Sequence, residues 1–137
     1  MLDYVSQCVK CDRLQEYIKY DIHDGIDGAV IIKFTPRYHN CNMYDTCHGG
    51  ILCTLSDNSM FSACYNYIGR SDITICTKSL TYNFIIPARR DIPIIFEAKI
   101  TCIARQKDIN TTCVIRQNDT IIGYSYGEYQ CIRNSKL

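Results

Sequence analysis

The sequence predicts an α+β fold in which one antiparallel sheet wraps around a single long, apolar helix, with a further helix at the N-terminus. Three observations carry that expectation. Residues 49–69 hold one charged side chain, Asp57, among apolar, small hydroxyl, amide, glycine and tyrosine residues, the pattern of a helix buried on nearly all sides. From residue 76 onward the chain alternates as strands do, with turn signals between the runs. No Gly/Ser linker, repeat or low-complexity run divides the 137 residues, so they make a single domain, 1–137, with one hydrophobic core. A lone sheet would leave its apolar face in water and such a helix needs a cover, so each supplies what the other lacks.

Taken in order, residues 3–19 carry Val5, Cys8, Val9, Cys11 and Leu14 without Gly or Pro, which fits an amphipathic opening helix that packs as a lid. Asp27-Gly28 breaks that pattern, and Ala29 to Thr35 reads as a strand ended by Pro36. A loop from Arg37 to Cys47 leads to the central helix. Thr54, Ser56, Ser59 and Ser62 with Asn58 and Asn66 make that helix too polar for a membrane span. Four long strands follow. Their alternating rows are Cys76, Lys78, Leu80, Tyr82 and Phe84; Ile94, Phe96, Ala98, Ile100 and Cys102; Thr111, Cys113 and Ile115; and Ile122, Tyr124 and Tyr126. Turn signals at Lys107-Asp108 and Asn118-Asp119 join the last three as hairpins.

Composition narrows the function classes. Fifteen Lys and Arg against fourteen Asp and Glu leave a net charge of +1, without the basic excess that duplex nucleic acid requires, so no nucleic-acid partner is expected. Charged residues at 21% and hydrophobic ones at 47% fit a folded globular chain. The N-terminus has no basic start followed by an apolar run, so an intracellular protein with reduced thiols is expected despite ten cysteines. Cys8-Val-Lys-Cys11 is the one metal-like spacing, and with no second pair no metal site is expected.

The chemistry concentrates between Asn42 and Asn58. Gly49 and Gly50 stand where the central helix begins, so their unpaired N–H groups and the positive end of the helix dipole can polarise a carbonyl oxygen. Asp57 lies two turns on, with Cys53, Phe61 and Cys64 at helical spacing around it, where desolvation is expected to favour a general base. Eight residues of helix span about 12 Å, too far for Gly49 and Asp57 of one chain to serve one scissile carbonyl. A two-fold dimer with antiparallel helices would bring them together across subunits, in two equal sites. Cys47-His48 also suggests a thiol nucleophile, but adjacent side chains do not readily share one hydrogen bond.

The pattern Asn-x5-His-Gly-Gly-x6-Asp, met by Asn42, His48, Gly49, Gly50 and Asp57 and extended by Asn58, resembles the hotdog-fold thioesterases of the phenylacetyl-CoA thioesterase and thioesterase-superfamily type. A second anchor, Thr-x9-Pro, is met by Thr77 and Pro87, followed by Ala88, and the similarity runs from about Gly28 to Cys131. The resemblance implies a hotdog fold, dimers pairing into homotetramers, sites at the dimer interface, and no metal or cofactor, coenzyme A being part of the substrate. Carried over, Gly49 polarises the thioester carbonyl, Asp57 of the partner acts as nucleophile or base, Asn42 and His48 orient substrate, and Thr77 positions water. Gly50 and Asn58 would assist substrate binding. Asp45, Asp91-Ile92-Pro93 and Ala104-Arg105 depart from the pattern in loops that would shape the acyl or CoA pocket.

The implied activity is hydrolysis of an acyl-CoA to free acid and coenzyme A. Arg89, Arg90, Arg105 and Lys107 are the basic residues expected at the CoA nucleotide. A noncatalytic acyl-CoA-binding module and a hotdog hydratase or dehydratase are the alternatives. The C-terminal Ser135-Lys136-Leu137 matches the tripeptide read by the peroxisomal import receptor, which suggests a peroxisomal location with the cytoplasm as alternative.

Overall fold

The computed structural model describes residues 12–69, 72–105 and 107–133. Six strands and one α-helix organise them: β1 Tyr20–Asp24, β2 Val30–Phe34, α1 Gly49–Ile68, β3 Ile73–Phe84, β4 Ile94–Ala104, β5 Asp108–Gln117 and β6 Thr120–Arg133. All strand pairs are antiparallel, in the order β1-β2-β4-β5-β6-β3. Helix α1 packs on the same face of β2 to β6, and the core lies between them, with Leu55 and Met60 against Ile32, Phe96, Cys113 and Ile115.

The helix has the expected bounds. It ends at Gly69, whose φ of 56° is the left-handed stop that glycine adopts without strain, and the Gly69 N–H closes on the Tyr65 carbonyl at 3.0 Å. It is not enclosed on nearly all sides, however. Leu52, Leu55, Ser56, Ser59, Met60, Ala63 and Cys64 are buried, but Gly50 and Tyr67 are exposed and Ile51, Cys53, Asp57 and Phe61 only half-buried. One sheet covers one side of a helix, so the second flank, with Asp57 as its single charged residue, stays open within a single chain.

The outer and inner rows of three strands also differ from the expected alternation. In β4 the register slips between Ile100↔Thr111 and Cys102↔Asn110, so Cys102, expected in the inner row, leaves it and is exposed. In β6 the register slips between Ile115↔Gly123 and Arg116↔Ile121, so Ile122 is an extra residue and the face exchanges there. The row under the helix is Gly123, Ser125, Gly127 and Tyr129, while Tyr124 and Tyr126 turn outward and meet edge to face at 5.7 Å. Small inner residues let α1 come close: Ser125 Oγ meets Ser56 Oγ at 2.5 Å, and a Cβ on Gly127 would sit 3.0 Å from Met60 Cε. In β3 the slip between Thr77 and Ser79 makes Ile75 and Thr77, then Leu80, Tyr82 and Phe84, the helix-facing row rather than Cys76 and Lys78.

Strand β1 was not expected. Tyr-Asp-Ile-His-Asp has little apolar pattern, and its strand character comes from pairing along β2, from Tyr20↔Phe34 to Asp24↔Val30. The described end of the expected opening helix, from Asp12, is a single 3-10 turn at Arg13–Glu16, capped by Asp12 Oδ1 accepting from the Leu14 N–H at 3.0 Å. The rest of that helix, the Cys8–Cys11 pair and Ser135-Lys136-Leu137 lie outside the described residues. The Asn118-Asp119 turn is a two-residue hairpin with both φ positive, 49° and 61°, which asparagine and aspartate tolerate. Among the described residues no helix is long and apolar enough to cross a membrane.

Burial of thiols makes the fold sensitive to alkali. Burial pushes Cys47, Cys64 and Cys113 up from the ordinary 9.0 to about 12. Below pH 9.0 folded and unfolded states hold the same thiol protons; between 9.0 and about 12 only the folded state keeps them, so folding takes up protons and stability falls as pH rises. Each thiol contributes a slope of up to about 1.4 kcal/mol per pH unit. Urea unfolding under reducing conditions is expected to give a flat stability from pH 7 to about 8.5 and a steep decline above it.

Candidate active site

Asp57 lies mid-helix where α1 crosses β3 and β6, and two hydroxyls converge on one of its oxygens. The Tyr129 hydroxyl donates to Asp57 Oδ1 at 2.8 Å and lies 3.1 Å from the Asp57 carbonyl oxygen. Thr77 Oγ1 donates to the same Oδ1 at 3.1 Å. Thr77 and Tyr129 are register partners on β3 and β6, which is why the donors arrive side by side, and the bulge after Thr77 keeps it facing the helix. Among the described residues no donor reaches Asp57 Oδ2. Burial first, and then the adjacent Asp57 charge, hold the Tyr129 phenol well above its ordinary value, so it remains a hydrogen-bond donor throughout the physiological range. Tyr129 was missed by the sequence reading, because the bulge at Ile122 hides the phase of its row.

The second half of the site is the start of α1. The N–H groups of Ile51 and Leu52 turn back to the His48 carbonyl at 3.0 and 3.3 Å, which leaves those of Gly49 and Gly50 as the open donors of the first turn among the described residues. A Cβ on Gly49 would stand 3.1 Å from the Phe84 ring, whereas Gly50 faces open space. The incoming loop is pinned by His48 N–H to Asn40 O at 2.9 Å and Cys47 N–H to Ala88 O at 2.8 Å. The His48 imidazole is exposed, at the mouth of this helix end.

Other expected site residues are placed differently. Asn42 Oδ1 accepts from Tyr44 N–H at 3.0 Å, Thr46 N–H at 3.3 Å and Thr46 Oγ1 at 3.1 Å, so its carbonyl shapes the loop before the helix. Asn58 points to the opposite flank and donates to Asp12 Oδ2 and Tyr20 OH, both at 3.1 Å. The Cys47 thiol is buried, raised to about 12, and directed at the His48 carbonyl at 3.7 Å, which makes it no thiolate nucleophile. The four basic residues do not cluster within one chain. Arg89 and Arg90 precede β4 and Arg105 and Lys107 follow it, so the eleven residues of that strand keep the pairs about 35 Å apart. Arg90 is further engaged by Asp45 at 2.9 Å and Asp91 at 3.4 Å. Among the described residues no group of three or more His, Cys, Asp and Glu side chains is placed to hold a metal ion.

No protein-family model and no curated protein matches this chain in sequence. Solved structures do match in shape. The PaaI protein of the E. coli phenylacetic acid degradation operon superposes with a TM-score of 0.86 at 16% identity, over 98% of this chain and 94% of that one. A thioesterase family protein from Silicibacter pomeroyi gives a TM-score of 0.85 at 14% identity, over 96% of this chain and 98% of that one. A conserved protein from Pseudomonas aeruginosa gives 0.79 at 21% identity, over 88% and 94%. Long helix, strand order and these near-complete superpositions together establish that the chain has the hotdog fold of such thioesterase-superfamily structures.

Proposed function

We propose that this chain is a thioesterase that hydrolyses an acyl-CoA to the free carboxylic acid and coenzyme A. The observation that carries the reading is Asp57, with Oδ1 held by Tyr129 and Thr77, and with Oδ2 and the Gly49 and Gly50 N–H groups at the start of the same helix without a partner among the described residues. In this mechanism Gly49 N–H stabilises the oxyanion that forms when the thioester carbonyl is attacked. Asp57 either takes a proton from the attacking water or attacks the carbonyl itself, giving an anhydride that water then opens. The C–S bond breaks and the thiol of coenzyme A leaves with a proton. His48 at the helix mouth and the Asn42 loop orient the thioester, and Gly50 supports substrate binding; Asn58, turned to Asp12 and Tyr20 on the opposite flank, takes no part. Because Gly49 and Asp57 of one chain are about 12 Å apart along the helix, each site takes one group from each subunit of a dimer, and dimers pair into tetramers. The open flank of α1, charged only at Asp57, supports such a pairing, and the superpositions with structures named as thioesterases support the reaction class.

A panel of short, long and aromatic acyl-CoA thioesters, phenylacetyl-CoA included, assayed for thiol release tests the reading. Turnover of at least one is expected. Binding of acyl-CoA by the folded protein without thiol release from any would instead make it a noncatalytic binding module.

The separation of the basic pairs sharpens the expectation for the nucleotide end. Neutralising Arg105 with Lys107, or Arg89 with Arg90, is expected to raise KM about three- to tenfold for one pair only, with kcat nearly unchanged, since such contacts are equal in ground and transition states. High salt should weaken wild type toward that variant. An acyl pantetheine, lacking the nucleotide, should be hydrolysed equally by both; impairment of both substrates would move these residues to the acyl pocket or the fold.

A further inference from the structure

We infer that Tyr129 is the positioning residue of the Asp57 carboxylate and decides which of its oxygens faces substrate. The kinetic consequence rests on the acyl-CoA reading above; the geometry does not. A carboxylate on a half-open helix flank has several rotamers, and a general base or nucleophile works only from the one that presents a free lone pair to the reacting atoms. Two hydroxyls hold Oδ1, but they are not equivalent. Thr77 is exposed on its strand, and its hydroxyl can turn to water. Tyr129 is fully buried, and its ring is fixed by what lies beneath it.

Gly127 shares the inner face two residues earlier, where a Cβ would come within 2.7 Å of the Tyr129 ring. That glycine opens the space through which the ring lies along the strand and delivers its hydroxyl to the helix. There the single hydroxyl meets two acceptors of one residue, the backbone oxygen and Oδ1 of Asp57, at 3.1 and 2.8 Å. The backbone contact fixes the hydroxyl relative to the helix, and the carboxylate contact fixes the side chain relative to that hydroxyl. Oδ1 is thereby occupied, and Oδ2, which no donor among the described residues reaches, is the oxygen left to face substrate. Phenylalanine would fill the same space, so the hydroxyl, not the ring, carries this role.

The experiment combines kinetics with a measurement that needs no turnover. Tyr129→Phe is expected to lower kcat for acyl-CoA about tenfold with KM within about twofold, because ground-state binding is untouched. In an Asp57→Ala background the same change is expected to lower the residual rate less than about twofold, since there is no carboxylate left to orient. An unchanged kcat in folded Tyr129→Phe, or the same loss in both backgrounds, would overturn the proposal. The ring-carbon NMR resonance of Tyr129 next to its hydroxyl supplies the independent readout, comparing the wild type with Asp57→Ala. A shift on removal of the carboxylate is expected, and an unmoved resonance would overturn the contact even if Tyr129→Phe failed to fold. If no acyl-CoA is hydrolysed, the acyl-CoA reading fails while this resonance still decides the Tyr129–Asp57 contact.

Discussion

Replacing Asp57 with alanine is expected to leave a folded protein whose thioester turnover has fallen at least about a hundredfold. The fold should persist because nothing else depends on the carboxylate. Alanine is the best helix former, so the middle of α1 gains rather than loses propensity. The buried Tyr129 hydroxyl is not orphaned, since it keeps the backbone oxygen of residue 57 as acceptor at 3.1 Å. Thr77 is exposed and its hydroxyl turns to water. A fully buried, unpaired carboxylate would be costly, and its removal would stabilise. Two donors and partial exposure cancel most of that gain, so a stability change within about 1 kcal/mol is expected. The loss of turnover follows from chemistry: among the described residues no other carboxylate or imidazole is bonded to the Thr77–Tyr129 pair. Steady-state thiol release and thermal melting by circular dichroism check both halves. Near-normal turnover in a protein that melts like the wild type would remove Asp57 from the mechanism.

What the sequence made legible follows from where one local rule prevailed. The central helix was readable to within a residue at its C-terminal end, because a run with one charge, bounded by Gly49 and Gly69, has no other compact solution. Strands β2 and β5, and β4 as far as Ile100, were readable because each buries one face, so Ile32, Phe96 and Cys113 recur at period two, whereas the bulge after Ile100 turns Cys102 out of its expected row. The rules failed where pairing overrode pattern. Strand β1 exists through its ladder with β2 and carries little apolar signal. The bulges at Thr77–Ser79 and Ile122 each exchange the faces of a strand, and a period-two count cannot see an inserted residue. The second bulge concealed Tyr129, whose partner Asp57 is 72 positions away. Grouping Arg89, Arg90, Arg105 and Lys107 by charge overlooked the intervening length of β4. The Asn42 to Asp57 motif was legible as a motif, yet the structure distributes it: Gly49 at the helix mouth, Asp57 beneath β3 and β6, Asn58 on the far flank.

That distribution makes the dimer testable by complementation. Gly49→Pro removes the N–H proposed to bind the oxyanion, and proline is tolerated in the first helical turn, where its missing donor breaks no helix bond. The added ring presses on the far end of the Phe84 side chain, which Gly49 already approaches within 3.1 Å of a virtual Cβ, and a side chain on an exposed strand end can give way. Homodimers of Gly49→Pro and of Asp57→Ala are each expected to be nearly inactive, because every site lacks one group. In a heterodimer one site pairs the intact Gly49 of the first chain with the intact Asp57 of the second, while the other site inherits both defects. Purified heterodimers, isolated with two different affinity tags after unfolding and mixed refolding, should therefore recover about half of the wild-type activity per dimer. Recovery of that size requires the two groups to act across the interface, since neither chain alone carries both. If verified heterodimers remain as inactive as the homodimers, the oxyanion donor and the carboxylate belong to the same chain. The 12 Å argument would then have misidentified one of them, and since Asp57 is fixed by Thr77 and Tyr129, Gly49 would be the group to replace.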